Sequence, residues 1–229
     1  MFPLHSFQKK RIAFTLIEML VVVAIVAALL AFSSPALMRT LQAAKLASAG
    51  DALMGSISEA QQVAYSRNVP VELRFFRHSG EMGGISLFRA YQLFKVVVMA
   101  QGAGAQVQLS EEIVPVGDLI KLPEGIVIAS DNKLSPLISG EGFQDNKDDD
   151  VTYNGIQFMP DGSCRKVGAT VTAGGTTLAS LSFASLPQSF LTVTYDIGTE
   201  ITTQNLPKNF YTIQIDPFTS KARSYKPGF

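Results

Sequence analysis

The sequence predicts an α+β fold: a long N-terminal helix, with a membrane half and an amphipathic half, packed on a C-terminal antiparallel β-sheet domain. Three observations predict it. The run from Phe14 to Phe32, FTLIEMLVVVAIVAALLAF, has nineteen residues of which only Thr15 and Glu18 are polar. The stretch that follows keeps apolar or small residues at spacings of three and four, the period of one helix face. From Asn68 onward, short runs of β-formers are separated by Gly, Pro and Asp turn signals with no helical period between them.

Composition narrows the function. The chain has 229 residues, enough for one good-sized core and an appendage. Lys plus Arg and Asp plus Glu each total 19, so the net charge is zero and no general positive field is available for nucleic acid. A single cysteine, Cys164, excludes an intrachain disulfide and any multi-cysteine metal site; two histidines, His5 and His78, exclude a histidine cluster. The mean hydropathy of +0.21 is high, and most of the excess lies in the N-terminal run.

Nineteen helical residues span about 28 Å, close to the roughly 30 Å of a bilayer's hydrocarbon core. Lys9, Lys10 and Arg11 precede the run with no acid before them, whereas Arg39 and Lys45 follow it more sparsely. The positive-inside rule then keeps the N-terminus cytoplasmic and exports the rest. An uncleaved anchor would look like this, and so would a secretory signal cut near Ala31–Ser33. Neither uses Glu18, whose carboxylate costs about 2.5–3.5 kcal/mol at the centre of a membrane helix and less near its end.

The helix is predicted to continue past Pro35, a candidate kink, to Ser66, with Leu46, Ala49, Leu53, Ile57, Ala60 and Ala64 as its buried stripe. Asn68 and Pro70 mark its end. No strict heptad persists, which disfavours a coiled coil and leaves the following β domain to cover the stripe. Strands are expected at 71–76, 87–99, 113–122, 126–130, 155–159, 166–172, 178–183, 190–196, 211–215 and 222–225. Residues 139–150, SGEGFQDNKDDD, read as an exposed loop and Pro160–Ser163 as a turn.

KKRIA followed by FTLIEMLVVVAIVAALLAF resembles the class III signal of type IV prepilins and pseudopilins. The resemblance implies a leader over 1–13, a helix over 14–66 with its transmembrane part at 14–32, and a globular β domain over 67–229. It implies cleavage between Ala13 and Phe14 by a prepilin peptidase and N-methylation of Phe14. The leader ends in Ala13 where most of the family has glycine. Pro35, twenty-one residues past Phe14, matches a proline common in pilins. Glu18 would neutralise the N-terminal amine of a neighbouring subunit; such a pair in low dielectric sets register more than it adds stability. NGIQFMPDGSCRKV and FYTIQIDPFTSKARSYKP are similar to the closing segments of GspH/FimT-like minor pseudopilins, and the chain's length and polar loop resemble the Verru_Chthon cassette D group.

The implied function is structural: a subunit, minor rather than major, of a type IV pilus-like or type II secretion-like assembly. Its implied partners are like subunits, the peptidase and an inner-membrane assembly platform, with its β domain in the periplasm before it enters a filament. The alternative is an anchored or secreted β-domain binding protein or enzyme with an ordinary signal. No enzyme motif supports the latter: no serine sits in a nucleophile elbow, and no glycine-rich stretch leads into Lys-Ser/Thr. No cofactor is expected. Asp145, Asp148 and Asp150 are weak calcium candidates, since consecutive aspartates do not converge easily on one ion. Cys164, beside Arg165 and Lys166, is either a thiol with a depressed pKa or a buried structural cysteine.

Overall fold

The computed structural model describes residues 15–78, 85–102, 108–140, 142–145, 148–173 and 176–227. The chain divides into two units, Met1–Gln42 and Ala43–Phe229. In the first unit the described residues are Thr15 and the start of helix α1 (Leu16–Arg67). Its apolar side chains are open to solvent: Leu16 is 85 % exposed, Val23 66 % and Leu30 66 %. The helical backbone continues through Pro35; the side chains of 32–36 lie outside the described residues. Among the described residues no helix is long and apolar enough to cross a membrane, so the span expected over 14–32 rests on the sequence alone.

In the second unit the predicted stripe is buried. Leu46, Ala49, Leu53, Ile57, Ala60 and Ala64 all enter the main core. Propensity alone would not hold the glycine-bearing part of this helix; burial of its apolar face does. The helix ends where Asn68 takes a left-handed φ of 51°, a conformation asparagine tolerates, and Pro70 cannot continue it.

Among the described residues twelve strands follow: β1 (Val71–His78), β2 (Leu87–Gln101), β3 (Gln108–Pro115), β4 (Ile120–Lys121), β5 (Ile126–Ile128), β6 (Phe143–Asp145), β7 (Asp148–Phe158), β8 (Cys164–Ala173), β9 (Thr176–Ser182), β10 (Phe190–Tyr195), β11 (Phe210–Ile215) and β12 (Ala222–Tyr225). The fold is thus α+β, with a sheet larger than a pilin-like domain requires. Its order is β1-β7-β8-β9-β3-β2-β5-β10-β11-β12, and β1 also pairs with β2. Six strands therefore return to their start as a closed ring, β5, β10, β11 and β12 extend from it, and β4 and β6 pair beside β2 and β7.

Three expectations need correction. The sheet is not wholly antiparallel: β3 and β9 run parallel through Leu109↔Thr176 and Ser110↔Thr177. The polar segment 139–150 is not all loop, because β6 and the start of β7 lie within it. The strand expected over 113–122 is split, with β3 ending at Pro115 and β4 pairing separately with β2.

Strand β1 explains its own poor alternation, since both its faces are covered. Val71, Leu73 and Phe75 pack into the core shared with the helix, while Phe76 joins Ala90 and Phe94 in a second cluster on the opposite face. Glu72 and Arg74 lie on that second face too, by the two-residue period of a strand.

The helix is fastened to the last hairpin. Gly50 lies so close to Tyr211 that a Cβ there would stand 2.5 Å from the ring's Cδ2. The Tyr211 hydroxyl donates to Asp51 Oδ1 at 2.8 Å, and the Lys226 ammonium sits 4.7 Å from the Tyr211 ring centre and 3.9 Å from the same carboxylate oxygen. One face of the helix is thereby keyed to β11, and Gln61 Nε2 donates to the Ser220 carbonyl beyond it.

Candidate processing and assembly site

Ala13 and Phe14, the residues of the expected cleavage, lie outside the described residues. What is described is the start of the helix immediately after them. Thr15 precedes the first helical residue and exchanges bonds with the side chain three positions on. The Glu18 amide donates to Thr15 Oγ1 at 3.3 Å, the Thr15 amide donates to Glu18 Oε2 at 3.3 Å, and the Thr15 hydroxyl lies 3.4 Å from the same oxygen. This is a capping box, in which T-x-x-E satisfies two otherwise unpartnered backbone N–H groups.

The box gives Glu18 a local task. Its carboxylate sits at the helix N-terminus, where the aligned peptide dipoles favour negative charge. Only Oε2 is engaged by the box. The cap also sets a boundary: helical structure begins at Leu16, so the Ala13–Phe14 bond falls on the N-terminal side of the capping residue. The T-x-x-E spacing of the box is legible in the sequence as Thr15-Leu16-Ile17-Glu18.

Asp145 and Asp148 are cross-strand partners in the β6–β7 hairpin, and Asp150 lies further along β7. The side chains of all three are outside the described residues, and among the described residues no group of His, Cys, Asp and Glu is gathered to hold a metal ion.

Cys164 is buried, and burial, with a smaller contribution from the Asp216 charge, pushes its thiol up to about 12. Of the two alternatives raised by its basic neighbours, the depressed thiol is therefore wrong. The Arg165 guanidinium lies 4.8 Å from the Phe183 ring, and Lys166 Nζ donates to the carbonyls of Pro136 and Ser139 at 3.2 and 2.5 Å.

The sequence analysis missed a buried ion pair. Arg74 Nε donates to Glu72 Oε1 at 2.9 Å, with both residues buried. The Arg74 guanidinium lies 4.1 Å from the Tyr153 ring centre and 4.8 Å from that of Phe94. Gly155 makes room for the pair, since a Cβ there would meet Glu72 Oε1 at 2.7 Å. Burial raises the Glu72 carboxyl above its ordinary value, against the opposing pull of Arg74, and the charge of Glu111 raises it further. The signal was E-x-R within a strand of β-formers, which places two opposite charges on one face.

A family described as the prokaryotic N-terminal methylation motif matches residues 8–34 of the chain. No curated protein and no solved structure matches it.

Proposed function

We propose that the chain is a type IV pilin-like subunit, matured by a prepilin peptidase between Ala13 and Phe14, methylated at Phe14, and built into a filament through its N-terminal helix. The match of the N-terminal methylation motif to residues 8–34 is the observation that carries this. Capping at Thr15 and Glu18 accords with it, because a carboxylate used at the helix start explains why an acid stands at the head of an apolar run. In this reading the apolar residues exposed on the first part of α1 are held by lipid before assembly and by neighbouring helices afterwards. The N-terminus is cytoplasmic and the β domain periplasmic until extraction. Pro35 would set the bend of the packed helix.

Glu18 has two roles in this scheme. It caps its own helix through Oε2, and it receives the ammonium of an adjoining subunit's Phe14 in the filament. A minor, non-enzymatic subunit of a pilus-like or type II secretion-like machine is the form we favour. The closing segments similar to GspH/FimT-like domains support it.

Mass spectrometry of the chain, expressed with and without a prepilin peptidase, tests the proposal. A start at N-methyl-Phe14 that depends on the peptidase is expected. An intact Met1 in cells holding the peptidase, or a start near Pro35, refutes it and leaves a tethered or secreted β-domain protein. Glu18→Leu is expected to be cleaved normally and to enter filaments poorly.

A further inference from the structure

Strand β2 has fifteen residues and β1 eight, and the overhang leaves part of β2 open. On the β1 side the ladder ends at Val71↔Lys95, followed by one bond from the Val96 amide to the Pro70 carbonyl at 2.9 Å. β1 begins no earlier because α1 ends just before it, with Asn68 turning the chain at φ 51°. On its other side β2 continues to pair with β3 as far as Gln101↔Gln108. Among the described residues, 97–101 are therefore paired on one side only.

Alternate residues of a strand aim their N–H and C=O groups to opposite sides. The Val96 amide donates toward β1, whereas the Leu93 and Arg89 carbonyls accept from Val116 and Leu122 on the side of β3 and β4. By that alternation Val98 and Ala100 aim theirs at the open side. Their two amides and two carbonyls have no partner among the described residues. The side chains do nothing to keep another strand away. Residues 96–110 include no charge and no proline, Val98 is 52 % exposed and Met99 is 43 % exposed. Folded proteins usually blunt an open edge with lysine or proline, and this edge has neither.

We infer that residues 97–101 pair antiparallel with the same residues of a second copy, about a two-fold axis at Met99. In that register Val98 faces Ala100 of the second copy and Ala100 faces its Val98. Four backbone hydrogen bonds then use every open amide and carbonyl on both edges, and the two Met99 side chains meet across the axis. The lack of charge favours a second copy as the occupant: identical edges bring like charges face to face, and here there are none to repel. Such an isologous contact closes on two chains. Two short strands bury less than the roughly 1,200–2,000 Å² of a stable interface, so the contact is reversible and forms where copies are held close together. The inference does not depend on the pilin-like reading.

Cysteine cross-linking of the full chain in detergent micelles tests it, with the native Cys164 buried and out of reach. Met99 would oppose itself in a non-hydrogen-bonded pair, where Cα atoms stand about 4.5 Å apart and a disulfide fits. Met99→Cys is expected to form a dimer on mild oxidation at least about tenfold faster than Gln101→Cys, whose two copies would lie about 13 Å apart along the strands. Chains carrying Val97→Cys mixed with chains carrying Gln101→Cys are expected to cross-link to one another about as fast as Met99→Cys does to itself. Adding Met99→Lys to both chains of that mixture should slow the reaction about tenfold, and Met99→Lys on one with Met99→Glu on the other should restore it. Equal rates for Met99→Cys and Gln101→Cys report random collision and overturn the inference. So does a mixed cross-link indifferent to the charges at 99. Slow amide exchange at Val98 and Ala100 at every protein concentration, without the Met99→Cys cross-link, assigns the edge to some other chain and likewise overturns it. Should Met99→Lys disturb the fold, the uncharged cysteine chains decide by their relative rates.

Discussion

Two glycines in one helix should respond in opposite directions to the same substitution. Gly50 and Gly55 both lie within α1, where replacing glycine by alanine restores about 1 kcal/mol of helix propensity. At Gly55 nothing stands within 4 Å of an added Cβ, so Gly55→Ala should stabilise the domain by about 0.5–1 kcal/mol. At Gly50 the Cβ would meet three carbons of the Tyr211 ring at 2.5, 2.6 and 2.6 Å. That ring has little freedom to retreat: its hydroxyl is held by Asp51, and the Lys226 ammonium lies over its face. Over-packing of this kind costs about 1–3 kcal/mol, so Gly50→Ala should be neutral to destabilising by about 2 kcal/mol once the propensity gain is subtracted. Thermal unfolding of the full chain in micelles, followed by near-ultraviolet circular dichroism, reads the difference. For a domain this size each kcal/mol moves Tm by about 2–4 °C. A rise in Tm for Gly50→Ala matching that for Gly55→Ala would refute the close docking of α1 on Tyr211.

Three other outcomes follow from particular groups. Cys164 should resist thiol reagents at pH 8 in the folded chain and react at once on denaturation, because its thiol is buried and shifted to about 12; prompt labelling of the native protein would contradict that burial. Glu72 carries a folded-state pKa above its ordinary value of 4.5, so the folded state holds more protons in the window just above that value. Its contribution to stability is therefore greatest below pH 4.5 and is lost as the pH rises through the raised pKa. Denaturation across that range should show the unaltered chain losing stability relative to Glu72→Gln as pH rises; a difference that does not vary with pH counts against the shift. Thr15→Val removes the capping hydroxyl and should cost the helix start about 1 kcal/mol, seen as faster amide exchange at Ile17–Met19 with residues 46–64 unaffected.

Much of this fold was written in local periodicity. The spacing of Leu46, Leu53 and Ile57 placed their helix face, and all three are buried. The strand from Leu87 and the turn at Pro160–Ser163 were equally legible, because β-branched runs and Asp-Gly turns act over a few residues. In that turn Asp161 Oδ1 accepts the Ser163 amide at 2.8 Å and Gly162 takes φ 86°. What escaped was non-local. The parallel β3–β9 pairing joins strands with five others between them in sequence, and nothing in either run of residues points to the other. Strand β6 escaped because its residues are those that also build loops. The strand expected over 113–122 is broken at Gly117–Leu119: the Val116 amide still donates to the Leu93 carbonyl, and pairing with β2 resumes only at Ile120. At the candidate site the motif was legible from residue types alone, while the bond between Thr15 and Glu18 needed the backbone.

Ring closure has a bearing on how this chain avoids sticking to itself in the wrong way. An open twelve-strand sheet would present two long flanks to any passing strand, an invitation to runaway cross-β growth. Here β1 is consumed on both sides, and the remaining terminus of the strand order is β12, four residues long with Arg223 within it and Lys221 and Lys226 on either side. Short, cationic borders of that kind repel their own copies. At this terminus, copies of the β domain brought close together are kept from zipping up edge to edge.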